Sequence, residues 1–315
     1  MARPMSTVFT FPGQGAQRPG MLADLPDSKA VRDTIAAAED GLSVRIDTLD
    51  NAEALATTDN VQTALTVMGV AAARHLIEAD GAPDAVLGLS IGAWPAAVIA
   101  GVIDFEAALA LVAKRGELMG QAYPAGYGML AVLGLGERHV AGLVEAGQDA
   151  GQAIHIANVN ADQQIVVAGA EAALDALAAR ADEAGARATR RLDVAVPSHC
   201  ALLDEPAEKL AEAAAGTPWQ PPRCAYFSAN ARRRLWKGDA IGDDLVYNMA
   251  RTVYWAQTAR IVQESGYTLA VEMPPGATLT GLHPSEAAGE AIAVERSGWH
   301  NTPALIRRAA QQPGR

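Results

Sequence analysis

Ala85-Val86-Leu87-Gly88-Leu89-Ser90-Ile91-Gly92-Ala93-Trp94 decides how the chain is read. A short apolar strand runs into Gly-x-Ser-x-Gly, and a helix is expected from there to Ala100. This is the pattern of a nucleophile elbow, a serine on a tight strand-to-helix turn. Without Cβ atoms, Gly88 and Gly92 let strand and helix close on each other while Ser90 takes a strained backbone conformation. The Ile91 amide, at the helix start, then points at any oxygen held over Ser90, where the helix dipole favours negative charge. Pro95 falls in the first helical turn, where a missing N–H removes no hydrogen bond.

Outward from the elbow, alternating strands and helices predict an α/β fold. Thr7 to Phe11 reads as a strand, followed by the glycine-rich loop Pro12-Gly13-Gln14-Gly15-Ala16-Gln17. A dinucleotide fingerprint would need glycine at 18, where the chain has Arg18. The loop suits a second use, bringing a backbone amide close to a reacting oxygen. Helices are expected over Asp27 to Glu39, over Val61 to Ala79 with Asp59-Asn60 as cap, and over Phe105 to Gln121. A serine at a strand's carboxyl end is where such sheets place their sites.

From 125 to 194 the order changes to β-α-β-β-α-β, the split βαβ unit of ferredoxin-like folds. Its last strand is expected over Ala188 to Val196. The α/β pattern then resumes, with a strand over Arg223 to Ser228, helices over Asp243 to Met249 and Trp255 to Ser265, and a strand over Tyr267 to Glu272. The expected architecture is a large α/β-hydrolase-like domain with a parallel sheet (1–124 and 195–315), carrying a small inserted ferredoxin-like (βαββαβ) subdomain (125–194).

Composition narrows the function. The 315 residues are half apolar, with a formal net charge of −11. That charge argues against general nucleic-acid binding, which needs a basic face. No apolar run is long enough to span a bilayer, and the N-terminus lacks the apolar core of a signal peptide. Cys200 and Cys224 alone make neither a disulfide framework nor a zinc site. A cytoplasmic protein without bound metal or cofactor is expected. Two basic clusters, Arg187/Arg190/Arg191 and Arg232/Arg233/Arg234/Lys237, read as solvated faces.

A serine nucleophile needs a base. Of six histidines, His199 stands out, because Val196-Pro197-Ser198-His199-Cys200 lies at a strand-to-helix junction. A helix N-terminus there would disfavour the imidazolium and leave a neutral base at pH 7. A serine esterase or thioesterase is one alternative, with Asp193 as the acid. A non-catalytic acyl-binding module is another.

Four motifs in order, Phe11-Pro12-Gly13-Gln14-Gly15-Ala16-Gln17, Gly88-Leu89-Ser90-Ile91-Gly92, Arg115-Gly116-x-x-Met119 and Val196-Pro197-Ser198-His199-Cys200, resemble the malonyl-CoA:acyl carrier protein transacylases. The resemblance covers nearly the whole chain. It implies Ser90 as the nucleophile that takes up the acyl group and His199 as its base. It implies Gln14, whose amide would complete an oxyanion hole with Ile91. Arg115 would hold the malonyl carboxylate, and Gln62, Met119 and Asn160 would line the pocket. The histidine would be oriented by a main-chain carbonyl, expected at Tyr254 within Val253-Tyr254-Trp255. Malonyl-CoA and an acyl carrier protein are the implied partners. Leu89 stands where relatives have His, Ala93-Trp94-Pro95 where they read Glu-Tyr-Ser, and Glu272-Met273-Pro274-Pro275-Gly276 where they read Glu-Val-Gly-Pro-Gly. These departures resemble the malonyltransferase (epsilon, or H) subunit of bacterial malonate decarboxylase more than a transacylase of fatty acid or polyketide synthesis. Ping-pong transfer through a malonyl-serine, in a narrow and mostly apolar gorge between the domains, is the expected mechanism.

Overall fold

The computed structural model describes residues 7–123, 125–284 and 289–311. Its strands and helices, in chain order, are β1 (Thr7–Phe11), α1 (Lys29–Leu42), α2 (Thr58–Glu78), β2 (Ala85–Gly88), α3 (Ala93–Ile99), α4 (Phe105–Ala122), β3 (Tyr127–Leu133), α5 (Glu137–Asp149), β4 (Ile154–Ala161), β5 (Gln164–Ala170) and α6 (Glu171–Glu183). There follow β6 (Ala188–Arg191), α7 (Asp204–Ala213), β7 (Ala225–Ser228), β8 (Arg233–Leu235), α8 (Gly238–Tyr247), α9 (Trp255–Glu264), β9 (Leu269–Glu272), α10 (Thr278–Gly281), β10 (Glu290–Ala293), α11 (Val294–Ser297) and α12 (Thr302–Gln311).

Six strands form the large sheet in the order β10-β9-β1-β2-β7-β8. The first five are parallel, and β8 closes one edge antiparallel to β7. A parallel sheet is covered on both faces, so β1, β2 and β7 are buried along their whole length. Side chains alternate between the faces. Phe9, Phe11, Val86 and Tyr226 join the core built on α2, α3, α4, α7 and α8. Val8, Leu87 and Phe227 pack with Trp255 and Val262 of α9. Among the described residues no helix is long and apolar enough to cross a membrane.

The small sheet has the order β4-β5-β3-β6, antiparallel throughout, which is the ferredoxin-like arrangement. Leu130, Val132, Ile165 and Val167 face α5 and α6, packing on Val140, Val144, Leu174 and Leu177. Met129, Ala131, Val166 and Ala168 occupy the opposite face and pack towards Cys200 of the large body. At one edge the two bodies are stitched by backbone: Val159 N donates to Val253 O at 2.8 Å, and Val253 N to Ala157 O at 2.9 Å.

Several elements differ from the sequence reading. Helix α2 begins at Thr58, so Asp59 and Asn60 lie inside its first turn and do not cap it. The last small-sheet strand ends at Arg191, five residues before Val196, because Leu192 to Ala195 turns away to reach the histidine loop. Helix α8 starts at Gly238, earlier than the expected Asp243. Strands β8 and β10 were not expected. In sequence the first is a basic cluster, and the second is a four-residue strand that exists through its pairing with β9.

The elbow itself forms as its glycines predict. Ser90 has φ +55°, in the left-handed region. A Cβ on Gly88 would sit 2.1 Å from the Gly92 carbonyl carbon, and one on Gly92 would sit 2.2 Å from Phe11 O. Neither site admits a side chain, so strand, turn and helix meet at backbone distance.

Candidate active site

Ser90 stands at the carboxyl end of β2, and His199 reaches it from the loop before α7. Ser90 Oγ and His199 Nε2 are 2.7 Å apart. His199 also sits at positive φ (+65°), and its N–H donates to Met249 O at 2.6 Å. Nδ1 lies 2.8 Å from the carbonyl oxygen of Asn248. A carbonyl only accepts, so Nδ1 carries the hydrogen and Nε2 is left as the acceptor for the serine proton.

The orienting carbonyl therefore belongs to Asn248 and not to Tyr254. The Tyr254 carbonyl is engaged in the first turn of α9, accepting from Thr258 N at 3.1 Å and Thr258 Oγ1 at 2.9 Å. Among the described residues no carboxylate occupies the third position of a triad, and Asp193 is exposed on the connecting loop. The imidazole is 3% exposed, and its pKa falls to about 4. Burial is the main cause and the charge of Arg115 the second. The expected neutral base is present, for a different reason than a helix N-terminus.

Arg115 projects from α4 and is 1% exposed. Its Nη1 donates to Gln62 Oε1 of α2, and its Nη2 to Asn248 Oδ1 at 3.0 Å, while Nε has no partner. Among the described residues no carboxylate neutralises it, and burial lowers its pKa to about 9, so it remains a cation at neutral pH. A buried, unpaired guanidinium is unfavourable by several kcal/mol unless an anion joins it. Its planar donors match a carboxylate fork.

Asn248 is the residue that sequence reasoning missed. Its carbonyl orients His199, its Oδ1 accepts from Arg115, and its Nδ2 donates to Ser90 O at 3.0 Å. One residue thus fixes the cation and the serine backbone through its side chain, and the base through its carbonyl. Its sequence signal was weak, since a carbonyl contribution leaves no constraint on residue type.

A cleft of about 1000 Å³, its open mouth included, runs between the two sheets in front of Ser90. Gln14, Gln62, Ile91, Arg115, Met119, Asn160 and His199 all line it, so the structure brings together every predicted site residue except Tyr254. The loop after β1 lies against the elbow, with a Cβ on Gly13 placed 3.6 Å from Ser90 Cβ. Leu89 N donates to Phe11 O at 3.0 Å, fixing that approach. Gln62 Nε2 lies 3.4 Å from Met119 Sδ. Asn160 Oδ1 is buried without a partner, and Asn158 joins it in the cleft. These amides are polar points in a lining that is mostly apolar, as expected of the gorge. Among the described residues there is no group of three His, Cys, Asp or Glu side chains able to hold a metal ion.

Residues 8–295 match the acyl transferase domain family. The malonyl CoA-acyl carrier protein transacylase of Escherichia coli (strain K12) is 37% identical over 280 residues, spanning 87% of this chain and 90% of the relative. The chain belongs to the malonyl CoA-acyl carrier protein transacylase family. Within that family, the crystal structure of FabD from Acinetobacter baumannii superposes with a TM-score of 0.92 at 32% identity, covering 97% of this chain and 99% of that one. PlMCAT, a malonyl-transacylase in complex with the type II PKS acyl-carrier protein AntF, gives a TM-score of 0.88 at 33% identity, covering 97% and 99%. The two-sheet α/β architecture is that of these acyltransferases.

Proposed function

We propose that the chain moves a malonyl group from malonyl-CoA to the prosthetic-group thiol of an acyl carrier protein, through a malonyl ester on Ser90. The observation that carries this is the buried cation Arg115, unpaired and in the same cleft as the Ser90–His199 dyad. A hydrolase of neutral esters has no use for it.

His199 Nε2 accepts the Ser90 proton as Oγ attacks the thioester carbonyl. The amides of Gln14 and Ile91 receive the oxyanion. Collapse breaks the C–S bond, and His199 returns the proton to the departing CoA thiolate. Malonyl-Ser90 remains with its free carboxylate on Arg115. The carrier thiol gives its proton to His199 and attacks the ester, and the reverse sequence regenerates Ser90. Acetyl would leave the guanidinium buried and unpaired, so malonyl is selected.

The relatives named above favour a carrier of fatty acid or polyketide assembly as acceptor. The residues Leu89, Ala93-Trp94-Pro95 and Met273-Pro274 support a second acceptor, the carrier subunit of a malonate decarboxylase. Intact-protein mass after brief incubation with malonyl-CoA tests the chemistry. The wild type gains one malonyl group and Ser90→Ala gains none. Steady CoA release without a covalent adduct or carrier acylation would replace the transferase reading with a hydrolase. Offering malonyl-enzyme to each carrier decides the acceptor.

A further inference from the structure

We propose that Arg190, at the open edge of the small sheet, binds the phosphate end of the pantetheine arm that malonyl-CoA and a loaded carrier share. The inference rests on the transferase reading above and adds a binding site to it. Its basis is strand register. In antiparallel pairs, residues directly opposite share a face. Arg190 pairs with Ala131, and Ala131 pairs on its other side with Val166. Ala131 and Val166 both line the catalytic cleft, so Arg190 projects on the cleft face. Leu192, two residues on, lines the cleft mouth and is one of the few large apolar side chains exposed among the described residues.

The opposite edge, β4, is sealed to the large body through Ala157, Val159 and Val253. Edge strand β6 is therefore left beside the mouth, where an arm threaded to Ser90 emerges. Arg191, next in sequence, faces the other way. It pairs with Leu130 of the helix-side core and is held by Asp175 and the Glu171 carbonyl. Arg190 is exposed and makes no ion pair with the described residues. In a chain of net charge −11, a cation left free at the mouth is a local attraction for a phosphate that the surface otherwise repels.

The test compares two thioesters that differ by one phosphate, malonyl-4′-phosphopantetheine and malonyl-pantetheine, as donors to the wild type, Arg190→Ala and Arg191→Ala. The wild type should prefer the phosphorylated donor in kcat/KM by about fivefold, the range of one exposed charge contact. In Arg190→Ala the two values should converge, with KM for malonyl-CoA and for the holo-carrier rising together. Arg191→Ala should keep the wild-type preference. Equal losses on both thioesters, or an unchanged preference, would overturn the assignment. A defect confined to the carrier would also overturn it, by placing Arg190 against carrier protein. A wild type that transfers from neither thioester would instead sink the transferase reading, and the proposal with it.

Discussion

Replacing Arg115 by Met removes the cation and keeps most of the side-chain volume. Arg115 donates from Nη1 to Gln62 and from Nη2 to Asn248 and has Nε unpartnered, so a malonyl carboxylate would complete its hydrogen bonding and neutralise it. Breaking one partner of such a buried pair typically removes about 3 kcal/mol or more, which is a loss of roughly 150-fold in malonyl kcat/KM. Acetyl makes no such pair, so its kcat/KM should hold or rise. The predicted signature is a collapse of the malonyl-to-acetyl ratio with acetyl transfer intact. Acetyl transfer is also the internal control, because Asn248 loses a partner in the variant and a disturbed dyad would slow both substrates. Arg115→Lys should restore little, since one ammonium cannot replace the two divergent donors that meet Gln62 and Asn248. Competition between malonyl-CoA and acetyl-CoA, read by the mass of the acyl-enzyme, gives the ratio directly. A folded Arg115→Met enzyme that still preferred malonyl tenfold or more would refute the assignment of its carboxylate site.

Three further outcomes follow from the same geometry. Asn248→Asp places a carboxylate against Arg115 Nη2, so malonyl kcat/KM should fall about tenfold or more while acetyl falls less; equal losses in steady-state rates would rule out neutralisation as the cause. His199 must be neutral to act, and its pKa is lowered to about 4, so single-turnover acylation should persist as pH falls below the ordinary histidine range and fail only as pH falls through about 4. In Arg115→Met that acid limb should move upward, since one cause of the lowering is gone; a fixed limb would show that the charge does not reach the base. Gly88→Ala and Gly92→Ala each drive a Cβ into backbone and should destabilise the fold by about 3 kcal/mol or more, read by urea unfolding; a loss under about 1 kcal/mol would mean the elbow relaxes.

How much of this was legible in the sequence depends on what each feature is made of. The elbow was legible because steric exclusion dictates residue type: Gly88 and Gly92 have no tolerated substitute, and Ser90 at positive φ follows from them. The small subdomain was legible because its strands alternate between a helix-facing and a cleft-facing row. Strand β8 was hidden because an edge strand carries charge, and Arg233-Arg234 looks the same in a strand as in a solvated loop. Strand β10, Glu290–Ala293, has little intrinsic strand preference and depends on a distant partner. Tyr254 was assigned to the histidine because the expected contact was a carbonyl, which every residue has; only the fold shows that the chain turns at Asn248 to present it. The pKa of His199 was expected in the right direction, but its main causes, burial and Arg115, become visible only when the 83 residues of intervening chain are folded away.

That last contact ties selectivity to reactivity. Arg115 and His199 share Asn248, one through its side chain and the other through its carbonyl, so the cation proposed to hold the malonyl carboxylate also depresses the base. In the free enzyme the depression keeps His199 neutral and able to accept the serine proton. It also makes the imidazole a weaker base than it would be alone. In the proposed transfer, a malonyl carboxylate on Arg115 would relieve the repulsion felt by a developing imidazolium, and proton transfer from Ser90, and later from the carrier thiol, would become easier. An acetyl group leaves the cation uncompensated, and the base stays weak. Discrimination therefore does not end at binding. On this reading, part of the energy of the proposed Arg115–carboxylate pair would be expressed only as positive charge appears on His199, in the transition state, where it would raise the rate of transfer as well as the occupancy of the cleft.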